Sequence, residues 1–316
     1  VIVDSIPTRA LGSTGISPTL VGIGTSALGS MPEAYGYSIE EDEAARALDE
    51  LLDGPFTFID TGNDYGDGRS EQRIGAALAR GRGSGMTVAT KVDRDKRSGV
   101  FDGSRVRRST EESLGRLGVD RVPLLHLHDP EHIGFDASMA AGGPVEALVR
   151  LRDEGIAASI GVAGGSATLL RRFVETGVFD VVQTHNRFTL LDRTSDTLIS
   201  VATERGLGVI NAAPYGGGLL SDVTGQVDSY GYRPLADALR RARDAMRDAC
   251  GRFGVPLAAA ALQFSTRDPR IHTTIVGMSR PGRATSTREL LGVHVPDELW
   301  SELDALTPSR SEWRND

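Results

Sequence analysis

The sequence holds a single cysteine, Cys250, so no disulfide can form within the chain and its stability has to come from packing. That cysteine lies in a polar helical stretch, RRARDAMRDACGRF, with no histidine beside it to activate the thiol. No window reaches the roughly 20 apolar residues that a membrane-spanning helix needs. The opening residues, VIVDSIPTRALGSTG, have neither the cationic start nor the apolar run of a secretory signal. Positive charge is not in excess: 35 Lys and Arg against 43 Asp and Glu leave a net charge of -8, and such a surface repels nucleic-acid phosphate and anionic membrane. Tryptophan is scarce, with only Trp300 and Trp313 to stack on a flat aromatic ligand. These absences point to a globular protein of the reducing cytoplasm whose partner is a small molecule, and they leave its oligomeric state open.

What is present is an alternation. Eight short apolar runs of strand length occur in order: TLVGIG from Thr19, TFIDTG from Thr57, MTVATKV from Met86, VPLLHLHD from Val122, ASIGVAG from Ala158, DVVQTHN from Asp180, GVINAAP from Gly208 and TTIVGM from Thr273. Between them lie stretches with apolar residues three or four apart, such as Ala44, Leu48, Leu51 and Leu52, then Val106, Thr110, Leu114 and Leu117, then Val145, Leu148 and Leu151. Eight βα units predict an α/β fold of one domain over residues 1–316, a (β/α)8 TIM barrel. TRALGSTGISP, ahead of the first strand, reads as a short N-terminal β-hairpin that plugs the barrel bottom. GRGSG at Gly81 reads as an ordinary helix-to-strand connection.

In such barrels chemistry gathers at the C-terminal ends of the strands. Asp60 closes the second strand, Lys91 the third, His128 the fourth, and Gln183 with Asn186 the sixth. The longest loops follow strand ends on that same face, after Lys91, His128 and Pro214, and frame a substrate mouth. His126 shares a face with His128 one layer deeper and reads as packing. Asn63, Asp64, Asp129, His132, Tyr230 and Tyr232 would make the mouth polar, suiting a hydroxylated substrate.

FIDTGNDYGDGRSEQRIGAAL, with Asp60 ending a strand, Tyr65 five residues later and Ser-Glu opening the next helix, resembles the signature of the aldo-keto reductase family. TVATKV resembles the family's strand ending in lysine, and DRVPLLHLHD its strand ending in the catalytic histidine. The likeness runs from Arg9 to around Trp300. THNRFTLLDR and NAAPYGGGLL are similar to the bacterial aldose 1-dehydrogenase branch, of the D-threo-aldose and L-fucose type. The resemblance implies an NADP- or NAD-dependent oxidoreductase with Tyr65, Asp60, Lys91 and His128 as catalytic residues, and Asp64, Tyr65, His128 and Asp129 around the substrate. It implies oxidation of a sugar at its anomeric carbon, with reduction of an aldehyde or ketone as the alternative. No metal is required.

The chemistry follows from the residue types. A phenol, with an ordinary pKa of about 10, can donate a proton to a carbonyl oxygen but is a poor base at neutral pH. A lysine beside it favours the phenolate, and an aspartate holds the ammonium in place. An imidazole can hydrogen-bond the oxygen as charge develops on it.

For the cofactor, the resemblance implies an extended dinucleotide across the barrel mouth, with contacts from Gly24, Thr25, Asp60, Gln183, Tyr215, Gly216, Gly218, Gly277, Ser279, Arg280, Arg283 and Thr287. Arg283 matches the position that meets the 2'-phosphate or the adenine side, and a guanidinium fork suits phosphate, favouring NADP. GIGTSALG at Gly22 lacks Rossmann spacing. The chain departs from the family pattern at Ala163 and Gly164, where a Ser-Asn pair is usual, at Ala212, where a stacking tyrosine is usual, and at Thr287, where an asparagine is usual.

Alone, Asp60, Tyr65, Lys91 and His128 each have an ordinary structural role. Together, at matching ends of neighbouring strands, they point to catalysis. Two other classes stay open: a metal-dependent barrel hydrolase, suggested by the HxH of His126 and His128, and a non-catalytic nucleotide-binding scaffold.

Overall fold

The computed structural model describes residues 5–221, 227–231 and 233–313. Each of the eight predicted apolar runs forms one stave of a closed parallel barrel. In chain order the staves are β1 (Val21–Gly24), β2 (Phe58–Asp60), β3 (Thr87–Val92), β4 (Val122–His128), β5 (Ala157–Gly164), β6 (Val181–His185), β7 (Gly208–Ala212) and, last, β10 (Thr273–Gly277), which pairs with both β7 and β1. Two short strands, β8 (Ser229–Tyr230) and β9 (Arg233–Pro234), make a separate antiparallel pair in the excursion after β7 and were not foreseen from the sequence.

The alternation of side chains along each stave sorts residues between two layers. Phe58, Ala89, Leu124, Val181, Ile210 and Ile275 fill the barrel interior, while Ile59, Val92, Leu125 and Leu127 face the surrounding helices. The helices bury the faces their periodicity marks out. α2 (Glu41–Leu52) buries Ala44, Leu48, Leu51 and Leu52, α4 (Gly103–Leu117) buries Val106, Thr110 and Leu117, and α6 (Pro144–Asp153) buries Val145, Leu148 and Leu151. Each Val or Leu among them contributes about 1.5–3 kcal/mol when fully buried. α4 begins where it does because the Asp102 carboxylate accepts a hydrogen bond from the Arg105 backbone N–H at 2.8 Å.

The N-terminal hairpin closes the barrel bottom. Its arms join through Leu11 N–H to Ile16 O at 2.8 Å and a bridge between Thr8 and Thr19, and Leu11 is wholly buried inside the staves. Gly12 at its turn has φ +54°, and a Cβ there would lie 2.5 Å from the Gly208 backbone nitrogen, so only glycine lets the plug seat. Cys250 is buried on the inner face of α9 (Asp237–Arg252), where burial pushes its thiol up to about 11, away from reactivity.

Stagger sets where the polar ends meet. Asp60 is in register with Ala89, Lys91 with His126, and His128 with Ala163. Each residue of the series Asp60, Lys91, His128 therefore stands two positions beyond the partner of the one before. In tilted staves that offset keeps all three at one height at the mouth.

Candidate active site

Lys91 is the pivot. Its side chain is 1% exposed, and a buried ammonium is costly unless its donors are matched. Here it meets the Asp60 carboxylate at 2.8 Å and donates to the Thr61 carbonyl at 2.6 Å. It also lies over the Tyr65 ring, 4.6 Å from the centroid. The Tyr65 ring stands edge-on to the His128 imidazole, with centroids 5.7 Å apart. The four predicted residues thus converge, and all of them line one cavity of about 1250 Å³.

Tyr65 is placed by a close backbone approach. A Cβ at Gly66, φ +63°, would lie 1.9 Å from the Gly29 carbonyl oxygen, and one at Gly29 would strike the Tyr65 backbone at 2.7 Å. Below this loop, Ser70 donates to the Thr25 carbonyl at 3.0 Å, and Arg116 bridges the Asn63 carbonyl and the buried Glu71, each at 3.1 Å. The Ser-Glu of the motif braces the loop from beneath. Burial raises the Glu71 carboxyl above its usual range despite bonds from Thr90, Ser113 and Arg116.

His128 has a partner that strand-end reasoning missed. Asp93 is the residue after β3, one step past the last paired position, Val92 with Leu127, and its Oδ1 is 2.6 Å from His128 Nδ1. Burial pushes the imidazole down, but the Asp93 and Asp129 carboxylates overcome it and hold His128 at about 9. The period-two spacing of Lys91 and Asp93 was the available signal. Asp129 itself has a left-handed backbone, φ +42°, uncommon for a non-glycine residue. Burial works against its charge, but His128, His185 and His132 hold its carboxyl well below the usual carboxylate range.

His126 is fully buried one layer lower, and burial, then the Lys91 and His128 charges, push its ring well below the ordinary imidazole value. Its Nδ1 sits where a Cβ on Gly161 would be, 2.3 Å away. Among the described residues no three His, Cys, Asp or Glu side chains converge as a metal site.

The cavity continues along the mouth past Gly24, Gln183, Tyr215, Gly218, Gly277, Ser279 and Arg283, all predicted cofactor contacts. The Gln183 Oε1 and the Tyr215 hydroxyl are buried there without a hydrogen-bond partner, and burial, only partly offset by Arg283, pushes the Tyr215 phenol up to about 12. Two unmatched polar groups in a cavity larger than the roughly 300–1,000 Å³ of a usual ligand pocket fit an extended, amide-bearing ligand next to a substrate.

Other predicted residues are not at this wall. Thr25 is buried and donates to the Asp60 carbonyl at 2.9 Å. Thr287 is 1% exposed beneath the surface, and Gly216 packs under Tyr230. Arg280 lies over the Tyr37 ring, 4.6 Å from its centroid. Two predicted mouth residues are structural instead. Asn63 donates to the Ser109 carbonyl at 3.0 Å, and the Tyr230 hydroxyl bonds Thr189 at 2.8 Å in the interior. Tyr232 lies outside the described residues.

In their stead the mouth gains Tyr35 and Tyr37, from α1 (Pro32–Tyr35) and just beyond it, together with Glu131, His185 and Arg187. Nothing in the local sequence marks them as site residues. At Gly164, where the family pattern has a larger polar residue, a Cβ would lie 2.6 Å from the Glu131 carboxylate. That carboxylate accepts from the Gly165 and Ser166 backbone amides at 2.7 and 2.6 Å.

Residues 20–308 match the model of the Aldo/keto reductase family. The chain is an aldo-keto reductase. This aldo-keto reductase is 31% identical to D-threo-aldose 1-dehydrogenase of a Pseudomonas species, over 93% of the chain and 95% of that protein. It is 33% identical to L-galactose dehydrogenase of Arabidopsis thaliana, over 95% of the chain and 94% of the relative. Its fold matches that of an aldo-keto reductase from Bacillus halodurans solved in a holo form, with a TM-score of 0.79, 22% identity and 98% of both chains covered. It is accordingly a nicotinamide-dependent oxidoreductase. No helix among the described residues is long and apolar enough to cross a membrane.

Proposed function

We propose that this aldo-keto reductase oxidises an aldose at its anomeric carbon, with NADP as the first-choice cofactor. The observation that carries the reading is Lys91, held between the Asp60 carboxylate and the Tyr65 ring with His128 alongside, all at the wall of one cavity. The bound nicotinamide supplies the hydride acceptor, or in the reverse direction the donor. Tyr65 takes the proton from the anomeric hydroxyl as the hydride leaves the carbon, or returns it to a carbonyl oxygen on reduction. A negative charge left on its oxygen would be stabilised by the Lys91 ammonium, which Asp60 keeps from moving. His128 hydrogen-bonds the same substrate oxygen. Asp129, ionised and 3.9 Å from His128 Nε2, is an acceptor for neighbouring sugar hydroxyls, and Asp64 lies on the same wall. Gln183 and Tyr215 offer their unmatched polar atoms to the cofactor, and Arg283 offers its guanidinium to a phosphate. The aldose and galactose dehydrogenases among its relatives support the sugar over a general carbonyl substrate.

Tyr65→Phe tests the reading. Turnover, followed at the reduced-nicotinamide absorbance across a panel of aldoses, is expected to fall by about 10²–10⁴-fold, the typical worth of a general acid-base. Cofactor binding, followed by fluorescence, is expected to stay within about twofold, because that substitution removes no group assigned to the cofactor. Near-normal turnover in the variant would remove Tyr65 from the chemistry. Turnover of simple aldehydes or ketones with no activity on any aldose would replace the sugar reading with a reductase.

A further inference from the structure

We propose that Asp93 is a positioning residue for the reaction, a single carboxylate that locks the His128 ring and the Tyr65 loop into one fixed relation. The inference rests on the catalytic reading of Tyr65 and His128 given above. Asp93 is 6% exposed, and its two oxygens have separate tasks. Oδ1 accepts from His128 Nδ1 at 2.6 Å, and Oδ2 accepts from the backbone N–H of Asp64, the residue before Tyr65, at 3.0 Å.

The backbone that carries this carboxylate is itself held. The Asp93 N–H donates to Ser109 Oγ at 3.1 Å, and Arg105 Nε donates to the Asp93 carbonyl at 2.8 Å, both from α4. Arg105 also donates to Asn63 Oδ1 at 3.0 Å, two residues before Tyr65, so the clamp is tied to the loop at a second point. A shift of the imidazole relative to the phenol would break a short charge-assisted bond in a buried place.

The consequence for His128 is chemical as well as geometric. With Nδ1 committed to Asp93, only Nε2 can reach a substrate. Whether Nε2 donates depends on whether the ring is cationic. The groups facing the ring are Lys91 from β3 and Asp93 just beyond it, Tyr65 from the loop after β2, His126 on its own strand and Asp129 just after it. His185 lies behind Asp129, 3.9 Å from its carboxylate. On the β5 side its register partner is Ala163, which brings no charge. Asp93 is the carboxylate in direct hydrogen-bond contact, so it keeps Nε2 a donor toward the oxygen that gains charge. The raised value of His128 agrees with this geometry.

Histidine-labelled protein, with His128 assigned from a His128→Gln control, provides the test by nitrogen NMR. In the unmodified protein His128 is expected to stay protonated through pH 8 and titrate near 9. In Asp93→Asn, which keeps the shape and can still accept from Asp64, the titration is expected to move down. The same variant is expected to lose at least tenfold in kcat, with its nicotinamide-nucleotide affinity within twofold and its pH profile displaced. A His128 that titrates between 6 and 7 in the unmodified protein overturns the proposal without any variant. So does an Asp93→Asn protein whose titration and kcat are both unchanged. The NMR readout needs no turnover. An unmodified protein inactive on every substrate would therefore defeat the catalytic reading while leaving the Asp93 clamp measurable on its own.

Discussion

Replacing Lys91 with methionine separates the structural from the chemical part of the site. The ammonium and its Asp60 partner are 1% and 5% exposed and 2.8 Å apart, so water screens neither. Removing one member of a buried pair strands the other charge at a cost of about 3–5 kcal/mol, whereas replacing both with neutral groups of similar volume is often close to neutral. Unfolding entropy of about 2.1 cal/mol/K per residue amounts to roughly 0.66 kcal/mol/K for a chain of this length, so the single variant is expected to melt roughly 5–8 °C lower. Asp60→Asn combined with Lys91→Met is expected to recover most of that loss. Activity is expected to return in neither protein, because the cation beside Tyr65 is missing from both. Thermal melts by circular dichroism, paired with the nicotinamide absorbance assay, read the two effects separately. A single variant that melts within about 1 °C of the parent would refute the argument that the buried pair is worth that much. A double variant that regains activity would refute the role given to the ammonium.

Two further outcomes follow from the geometry. Gly161→Ala places a methyl 2.3 Å from Nδ1 of the fully buried His126 ring, so one of them has to shift. Overpacking of this kind costs about 1–3 kcal/mol, and a melting temperature equal to the parent's would show that the layer below the site can relax. Arg283→Ala is expected to weaken NADP by about tenfold or more while leaving NAD within about twofold, the loss of one charge-assisted phosphate contact. Equal weakening of both nucleotides in a fluorescence titration would remove the phosphate role.

Much of the architecture was legible in the sequence because hydrophobic periodicity reports which face is buried. The eight runs from Thr19 to Thr273 became eight staves, and the apolar stripes of α2, α4 and α6 became their buried faces. The strand-end positions of Asp60, Lys91 and His128 were legible too, since strand ends on one side of a parallel barrel share a face. The pairing of staves was not. Asp93 and His128 are 35 residues apart in the chain, and only the register of β3 against β4 makes them neighbours. Loop contents were also misjudged, because polarity in a loop does not say whether a side chain meets solvent or a helix. Asn63 and Tyr230 turned inward, while Tyr35, Tyr37 and Glu131 came to the mouth.

The sequence by itself determined the barrel, its plug and which residue types reach the C-terminal end of the staves, because those depend on local period and on chemistry carried within short motifs. The tertiary structure decided the charge state of the site. Whether His128 is a cation, whether Asp129 is ionised and whether Lys91 is matched depend on burial and on neighbours brought from other strands. Electrostatic energy is set by distances through space, and spacing along the chain does not record them.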